Sequence, residues 1–515
     1  MFEPGNPDDS SQLWLPGESP AEGAGEGTTR ARFLQQAAER TALLFGGGLA
    51  ASRLLGADNA FARSTGAKPP EGVHRFHSRP DLVAPIVSVL RAGHTADGYV
   101  FIAPSSGPGA RGPMIFNNRG EIIWFHPTKP RIATNFRTAL YKGQPVLTWW
   151  EGTTSAGLGV GSHVIFDSSY KQIANFPAGG GRQSDLHEFQ ITPHGTALVS
   201  SYETKYMDLR PYGGSANGKV VGGIFQELEI PTAKVLFEWR SLDHVTLDES
   251  HQRPGANFFD YFHINSVDID GDGNYLVSAR NTWAVYKVAR KTGEVIWRLG
   301  GKKSTFSMGK GTVFAWQHDA RHHAGGKEIS IFDDGGAPIV EPQSRILVIA
   351  LDLKRKQATL ARRYTHRPGR LQAHFMGNAQ ILPNGNVIAG WGSEPYITEW
   401  SRDGALVFDA KLPRGGQNYR AFRFPWVGHP VKPPRIGANG TGIGRRVYAS
   451  WNGATELAAW QLLTGTTDTN LTPAGTTPKA GFETALVPRP GARYAAVVAL
   501  DKGGKPLHRS GTLKL

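Results

Sequence analysis

The feature that most restricts the fold is a repeating pattern of short strands between residues 75 and 425. Brief runs of β-branched and aromatic residues alternate with polar ones. Gly-Asn and Asn-Gly pairs separate the runs. A two-residue period puts successive side chains on opposite faces of a strand, and Gly-Asn pairs supply the positive φ that tight hairpins need. The clearest unit opens at His263, turns at residues 271–274 (Gly-Asp-Gly-Asn), returns through Ala279, and ends at Trp297 after two more runs. Similar units span 186–239 and 378–408, with fainter ones at 97–126, 145–177 and 316–366. No long helical period interrupts them. Four-stranded propeller blades repeat at roughly 40–50 residues, and radial closure around a channel hides the sheet edges. The pattern therefore predicts an all-β chain whose residues 75–425 form a six-bladed β-propeller.

Both flanks read differently. Pro433, Pro434 and the glycine-rich stretch 437–444 read as a linker. Alternating runs at 447–451, 458–462, 482–486 and 494–500 then predict a small fibronectin III/immunoglobulin-like β-sandwich over 431–515. At the other end, residues 1–28 are rich in Gly, Pro and Glu and read as disordered. Arg30 and Arg32, an apolar stretch at 41–52 and the small-x-small site Ala60-Phe61-Ala62 follow. Together they predict a leader with a signal peptide over 1–62. The Arg-x-Arg-Phe-Leu string is similar to a twin-arginine export signal, with its arginines separated by one residue. The apolar stretch falls short of the ~20 residues a bilayer span needs. The expectation is an exported protein, secreted or in the cell envelope, with no membrane span.

The chain has no cysteine, which excludes disulfides, thiolate metal sites, Fe–S clusters and a cysteine nucleophile. The net charge of +14 is scattered, with no long Lys/Arg run. An anionic substrate or surface fits this better than nucleic acid. The string at 268–274 (Asp-Ile-Asp-Gly-Asp-Gly-Asn) mimics a calcium loop, but Ala279 stands where the closing Glu belongs, so it reads as a hairpin turn. No metal is expected.

Among the 17 histidines, His187, His263, His318 and His374 stand at or just before the first strand of four units. In a propeller, equivalent positions are related by rotation about the channel. These four residues, distant in sequence, are therefore expected at the mouth of one funnel.

The motifs around them resemble a family. The run 260–267 (Asp-Tyr-Phe-His-Ile-Asn-Ser-Val) followed by Arg280, the string 297–301 (Trp-Arg-Leu-Gly-Gly) and the string 316–321 (Trp-Gln-His-Asp-Ala-Arg) resemble the bacterial arylsulfate sulfotransferases. So do residues 76–82 and 98–104, and the resemblance covers about 75–425. It implies a six-bladed propeller that moves a sulfuryl group from an aryl sulfate ester to a phenol through a sulfohistidine. No nucleotide sulfate donor and no cofactor are implied. The Gln-His motif maps the nucleophile to His318. The His-x-Asn motif and the arginine after it map to His263, Asn265 and Arg280, and an earlier histidine maps to His187. A neutral imidazole is a nucleophile that needs no metal, and a guanidinium fork matches the charged oxygens of a sulfuryl group. His374 is a further candidate oxygen donor. Tyr261, Trp316 and Trp391 are candidate stacking partners for aryl rings. Two other readings remain open: a non-catalytic propeller that binds an anionic glycan or protein, and a hydrolase that passes the sulfuryl group to water.

Overall fold

A computed structural model describes residues 72–515 apart from 256, 257 and 368; the leader and signal peptide expected over 1–62 lie outside the described residues. The described chain is all-β. Its helical content is one turn at Ser241–His244 and a few short 3-10 turns.

Four successive meanders follow one another from residue 132. The first runs Ile132–Tyr141, Gln144–Ser155, Leu158–Phe166, Gln172–Phe176, and begins earlier than the unit read at 145–177. The second comprises Phe189–Ile191, Ala197–Met207, Gly218–Leu228 and Val235–Arg240. The third comprises Ile264–Ile269, Tyr275–Ala279, Ala284–Val288 and Val295–Gly300. The fourth comprises His318–His323, Glu328–Asp333, Arg345–Asp352 and Gln357–Tyr364. A fifth sheet, Asn378–Ile381, Val387–Gly390, Tyr396–Trp400, Leu406–Lys411, borrows Ser88–Ala92 at its outer edge. The unit read at 97–126 supplies three strands, Tyr99–Ile102, Met114–Phe116 and Ile122–Phe125. Its remaining strand, Phe422–Phe424, comes from the far end of the repeat and pairs with Tyr99–Ile102. Both ends of the repeating region are thus hydrogen-bonded into one sheet.

Side-chain amides stitch neighbouring first strands together. Asn135 Nδ2 donates to the Leu186 carbonyl, Asn265 Nδ2 to the Gln317 carbonyl and Asn378 Nδ2 to the Ala421 carbonyl. Beneath them lies a dry ionic network. Glu188 meets Arg137 at 2.8 Å, Arg321 at 2.6 Å and Arg420 at 3.2 Å, and Arg321 also meets Asp319 at 2.7 Å. Burial alone would raise the Glu188 carboxyl, but Arg321, Arg420 and Arg137 hold it down at about 2.

The calcium-like string is a hairpin turn. Gly273 takes a φ of +82°, and the Lys287 ammonium bridges the two carboxylates, 2.7 Å from Asp270 and 2.6 Å from Asp272. Beyond the repeats, two further sheets enclose an apolar cluster that includes Val447, Trp460, Leu462, Leu486 and Val497. The expected linker is partly a strand: Arg435–Asn439 pairs with Arg446–Ser450. Gly437 is required there, because a Cβ would lie 2.1 Å from the His77 carbonyl oxygen.

Candidate active site

Three of the four histidines expected at one mouth come together. The rings of His187 and His263 lie 4.7 Å apart, nearly perpendicular. His318 is close enough to both, and to Arg280, for their charges to depress its basicity after the larger effect of burial; its imidazole is held well below the ordinary value. Burial likewise lowers His187, against the pull of Asp185.

Local backbone irregularities aim these groups. Strand registers slip between Ile264 and Ser266 and between His318 and Arg321. Such bulges bend a strand and re-aim its side chains. His263, Trp283, Trp316, Asp319 and Met376 all adopt φ between +52° and +68°. Non-glycine residues there carry strain of about 1–3 kcal/mol each, and such residues gather at functional sites.

Each of the three histidines offers Nδ1 to a carboxylate. His187 meets Asp185 at 2.5 Å, His263 meets Asp260 at 2.5 Å and His318 meets Asp334 at 2.7 Å. Asp185 also accepts the Gly159 N–H, the His187 N–H and the Ser200 hydroxyl. Burial pushes its carboxyl up, but His187 and these donors outweigh burial and bring it below the usual range.

Arg280 is tied to the same place. Its N–H donates to the His263 carbonyl at 2.9 Å, and its guanidinium lies 4.8 Å from the centre of the Trp316 ring. It also donates to Asn281 Oδ1 at 3.0 Å and to the His374 carbonyl at 3.3 Å. Trp316 Nε1 donates to the Pro338 carbonyl. The Trp316 ring meets Trp283 edge-on at 5.0 Å, and Trp283 stacks on His251 at 3.7 Å. The hairpin tip at Gly157 abuts His263, where a Cβ would lie 3.6 Å from the ring.

The remaining candidates divide. His374 is exposed and faces Arg280 through its carbonyl; burial of part of its ring and the nearby guanidinium lower its basicity. Asn265 is wholly buried and ties down the carbonyl next to His318. Its Nδ2 therefore positions the His318 strand rather than reaching outward. Tyr261 does not belong to the mouth. It is fully buried in the core, with its hydroxyl donating to the Val245 carbonyl. An aromatic ring flanked by Phe259 and Phe262 gains more from apolar burial than from a place at the rim. Trp391 is also fully buried, donating to Thr398 Oγ1.

Several members of the cluster escaped sequence reasoning. Tyr419 is buried under His187, and its hydroxyl donates to the carbonyls of His187 and Asn265. Tyr202 packs against both His187 and His263. Asp260 lay within the quoted motif and Asp185 two residues before its histidine, so proximity alone could have flagged both. Asp334 is 16 residues from His318 and had no local signal.

Comparison with known proteins agrees with the motifs. Among solved structures, similarity extends to a protein of unknown function from Bacteroides caccae, at 14% identity over 61% of this chain and 93% of that one, with a TM-score of 0.38. It extends also to a streptogramin B lyase, at 9% identity over 70% and 94%, with a TM-score of 0.33. A virginiamycin B lyase from Staphylococcus aureus matches at 7% identity over 71% and 96%, with a TM-score of 0.31. No curated protein matches the chain. The family described as Arylsulfotransferase (ASST) matches residues 137–412, more than half of the sequence. That span carries His187, His263, Arg280 and His318 together, and the chain belongs to the arylsulfotransferase family.

Proposed function

We propose that the protein transfers a sulfuryl group from an aryl sulfate ester to a phenolic acceptor, through a sulfohistidine at His318 and without a nucleotide sulfate. The observation that carries this reading is the setting of His318: a buried imidazole held well below its ordinary basicity, with Arg280, His263 and His187 around it. A neutral ring keeps a lone pair for attack on sulfur.

In the first half-reaction, His318 Nε2 bonds to sulfur and the S–O bond to the aryl group breaks. The bonding pair leaves on the phenolate oxygen, which takes a proton from His263. That histidine is the more open of the neighbouring pair, with 13% of its side chain exposed against 5% for His187. In the second half, the acceptor hydroxyl returns its proton to His263, its oxygen bonds to sulfur, and the N–S pair returns to Nε2. Arg280 offers fixed N–H donors to the sulfuryl oxygens, and preorganised donors of this kind commonly contribute about 3–4 kcal/mol each. Trp316, at 2% exposed, is packed against Arg280 and Trp283 rather than open to an aryl ring, and its role is to steady Arg280.

The same reading includes the architecture. We propose that the sheets over 75–425 close as a six-bladed propeller, since three side-chain amides tie the starts of the sheets together in pairs and both ends of the repeat meet in one sheet. The two sheets over 431–515 are proposed as a separate sandwich. Export is proposed from the sequence of residues 1–62 alone.

The test is turnover of a chromogenic aryl sulfate with and without added phenol. Release that requires phenol supports transfer, and equal release in water alone assigns a hydrolase. No turnover across a broad panel of donors and acceptors assigns a binding module.

A further inference from the structure

Of the three histidine–carboxylate pairs, His318–Asp334 is the driest, with 2% and 0% of the two side chains exposed. Two contacts of the His318 ring agree on where its proton lies. Nδ1 faces Asp334 Oδ2 at 2.7 Å, and Nε2 faces the Met376 N–H at 3.3 Å. A donor aimed at Nε2 is compatible only with a lone pair there, so the ring proton belongs on Nδ1.

Asp334 is itself held in place. Ser344 Oγ and Gln372 Nε2 both donate to its backbone carbonyl at 2.7 Å, and the Ala373 N–H donates to Ser344 Oγ. Its second carboxyl oxygen, Oδ1, is buried without a hydrogen-bond partner among the described residues. A carboxylate this poorly solvated gains most from the one N–H it faces. Burial, opposed by Arg280 and reinforced by Asp333, pushes its carboxyl well above the usual range, so the assignment of the ring proton rests on the two contacts of the His318 ring.

We infer that Asp334 is the positioning residue for His318: it keeps the ring proton on Nδ1, leaves the lone pair on Nε2, and balances the charge that the ring acquires on sulfation. This rests on the reading of His318 as nucleophile. When Nε2 bonds to sulfur and the aryl–oxygen bond breaks, the ring becomes a sulfonated imidazolium with its Nδ1 proton in the hydrogen bond to Asp334. When the acceptor oxygen displaces the ring, the N–S electron pair returns to Nε2 and the Nδ1 proton has not left the pair. The Met376 N–H, freed from Nε2 by the new bond, then faces the transferred group.

The first measurement needs no variant. Long-range proton–nitrogen NMR of the 15N-histidine-labelled full chain reads the tautomer of His318, identified by the signal lost in His318→Gln. The expected state is the neutral ring with its proton on Nδ1; the Nε2–H tautomer or an imidazolium at neutral pH overturns the inference. The second measurement is kinetic. Asp334→Asn offers an N–H to Nδ1 and so favours the wrong tautomer. The expected loss in kcat is on the order of 10²–10⁴-fold, with KM within about 3-fold and partial recovery in Asp334→Glu. A kcat within 3-fold of wild type overturns it. Mass spectrometry of quenched single turnovers separates the two readings. Sulfation of His318 at an unchanged rate in Asp334→Asn defeats the role of Asp334 alone. Sulfation of a different residue, with His318 still protonated on Nδ1, defeats the nucleophile assignment alone.

Discussion

The guanidinium of Arg280 lies 4.8 Å from the centre of the Trp316 ring, and the Trp316 nitrogen is anchored to the Pro338 carbonyl. The two residues come from different sheets' connecting loops, so this contact joins the His263 side of the site to the His318 side. A cation over an aromatic face is worth about 0.5–2 kcal/mol. Trp316→Leu is expected to lower kcat/KM for an aryl sulfate by about 3–30-fold, and Trp316→Phe by less. Arg280→Lys, which keeps the charge but loses the planar fork, is expected to lower it by about 10²-fold or more. Steady-state kinetics with a chromogenic donor measures all three.

The acid limb of the pH–rate profile follows from His318. Its imidazole is held well below the ordinary value of about 6.5 by burial and by Arg280, His263 and His187. The neutral nucleophile therefore persists as pH falls through 6.5. Single-turnover sulfation is expected to show no loss of rate as pH falls through 6.5. A tenfold loss per unit beginning there would contradict the assignment.

His163 makes folding stability depend on pH. Its ring packs against Phe176 and Phe189, both ring nitrogens are buried without partners among the described residues, and burial lowers its basicity to about 3. The unfolded chain binds this proton below about pH 6.5, whereas the folded chain binds it only near 3. Stability is therefore lost as pH falls across that window, by up to ~1.4 kcal/mol per unit. His163→Phe is expected to flatten this part of the acid limb. Denaturant midpoints between pH 4 and 7 for the two proteins provide the comparison.

Glu188 is the hub of the buried network, bonded to Arg137, Arg321 and Arg420 and accepting the Val267 N–H. Removing one partner from a dry ionic cluster leaves the others uncompensated, at a cost of about 3–5 kcal/mol. Glu188→Gln is expected to lower the melting temperature markedly at neutral pH. A melting curve indistinguishable from wild type would show that the network contributes little.

How much of this was legible in the sequence depends on the range of the interactions involved. The alternation and turn residues around 263–297 and 378–408 specified meanders, because strand period and hairpin geometry are local properties. The fainter units were less well bounded. The first meander starts at Ile132, and Phe422–Phe424 joins strands some 300 residues away in the chain. Pairing across that distance leaves no short-range signature.

The site divides along the same line. Chain order and residue type marked His187, His263, His318 and Arg280. Tertiary structure alone decided what surrounds them: which carboxylate takes each Nδ1, that Tyr419 and Tyr202 flank the histidines, and that Tyr261 is sealed in the core. The three carboxylates lie at different sequence offsets from their histidines, so no common spacing announces them. A side chain's chemistry is written in its identity. Its protonation state is set by burial and by neighbours brought together only when the sheets pack.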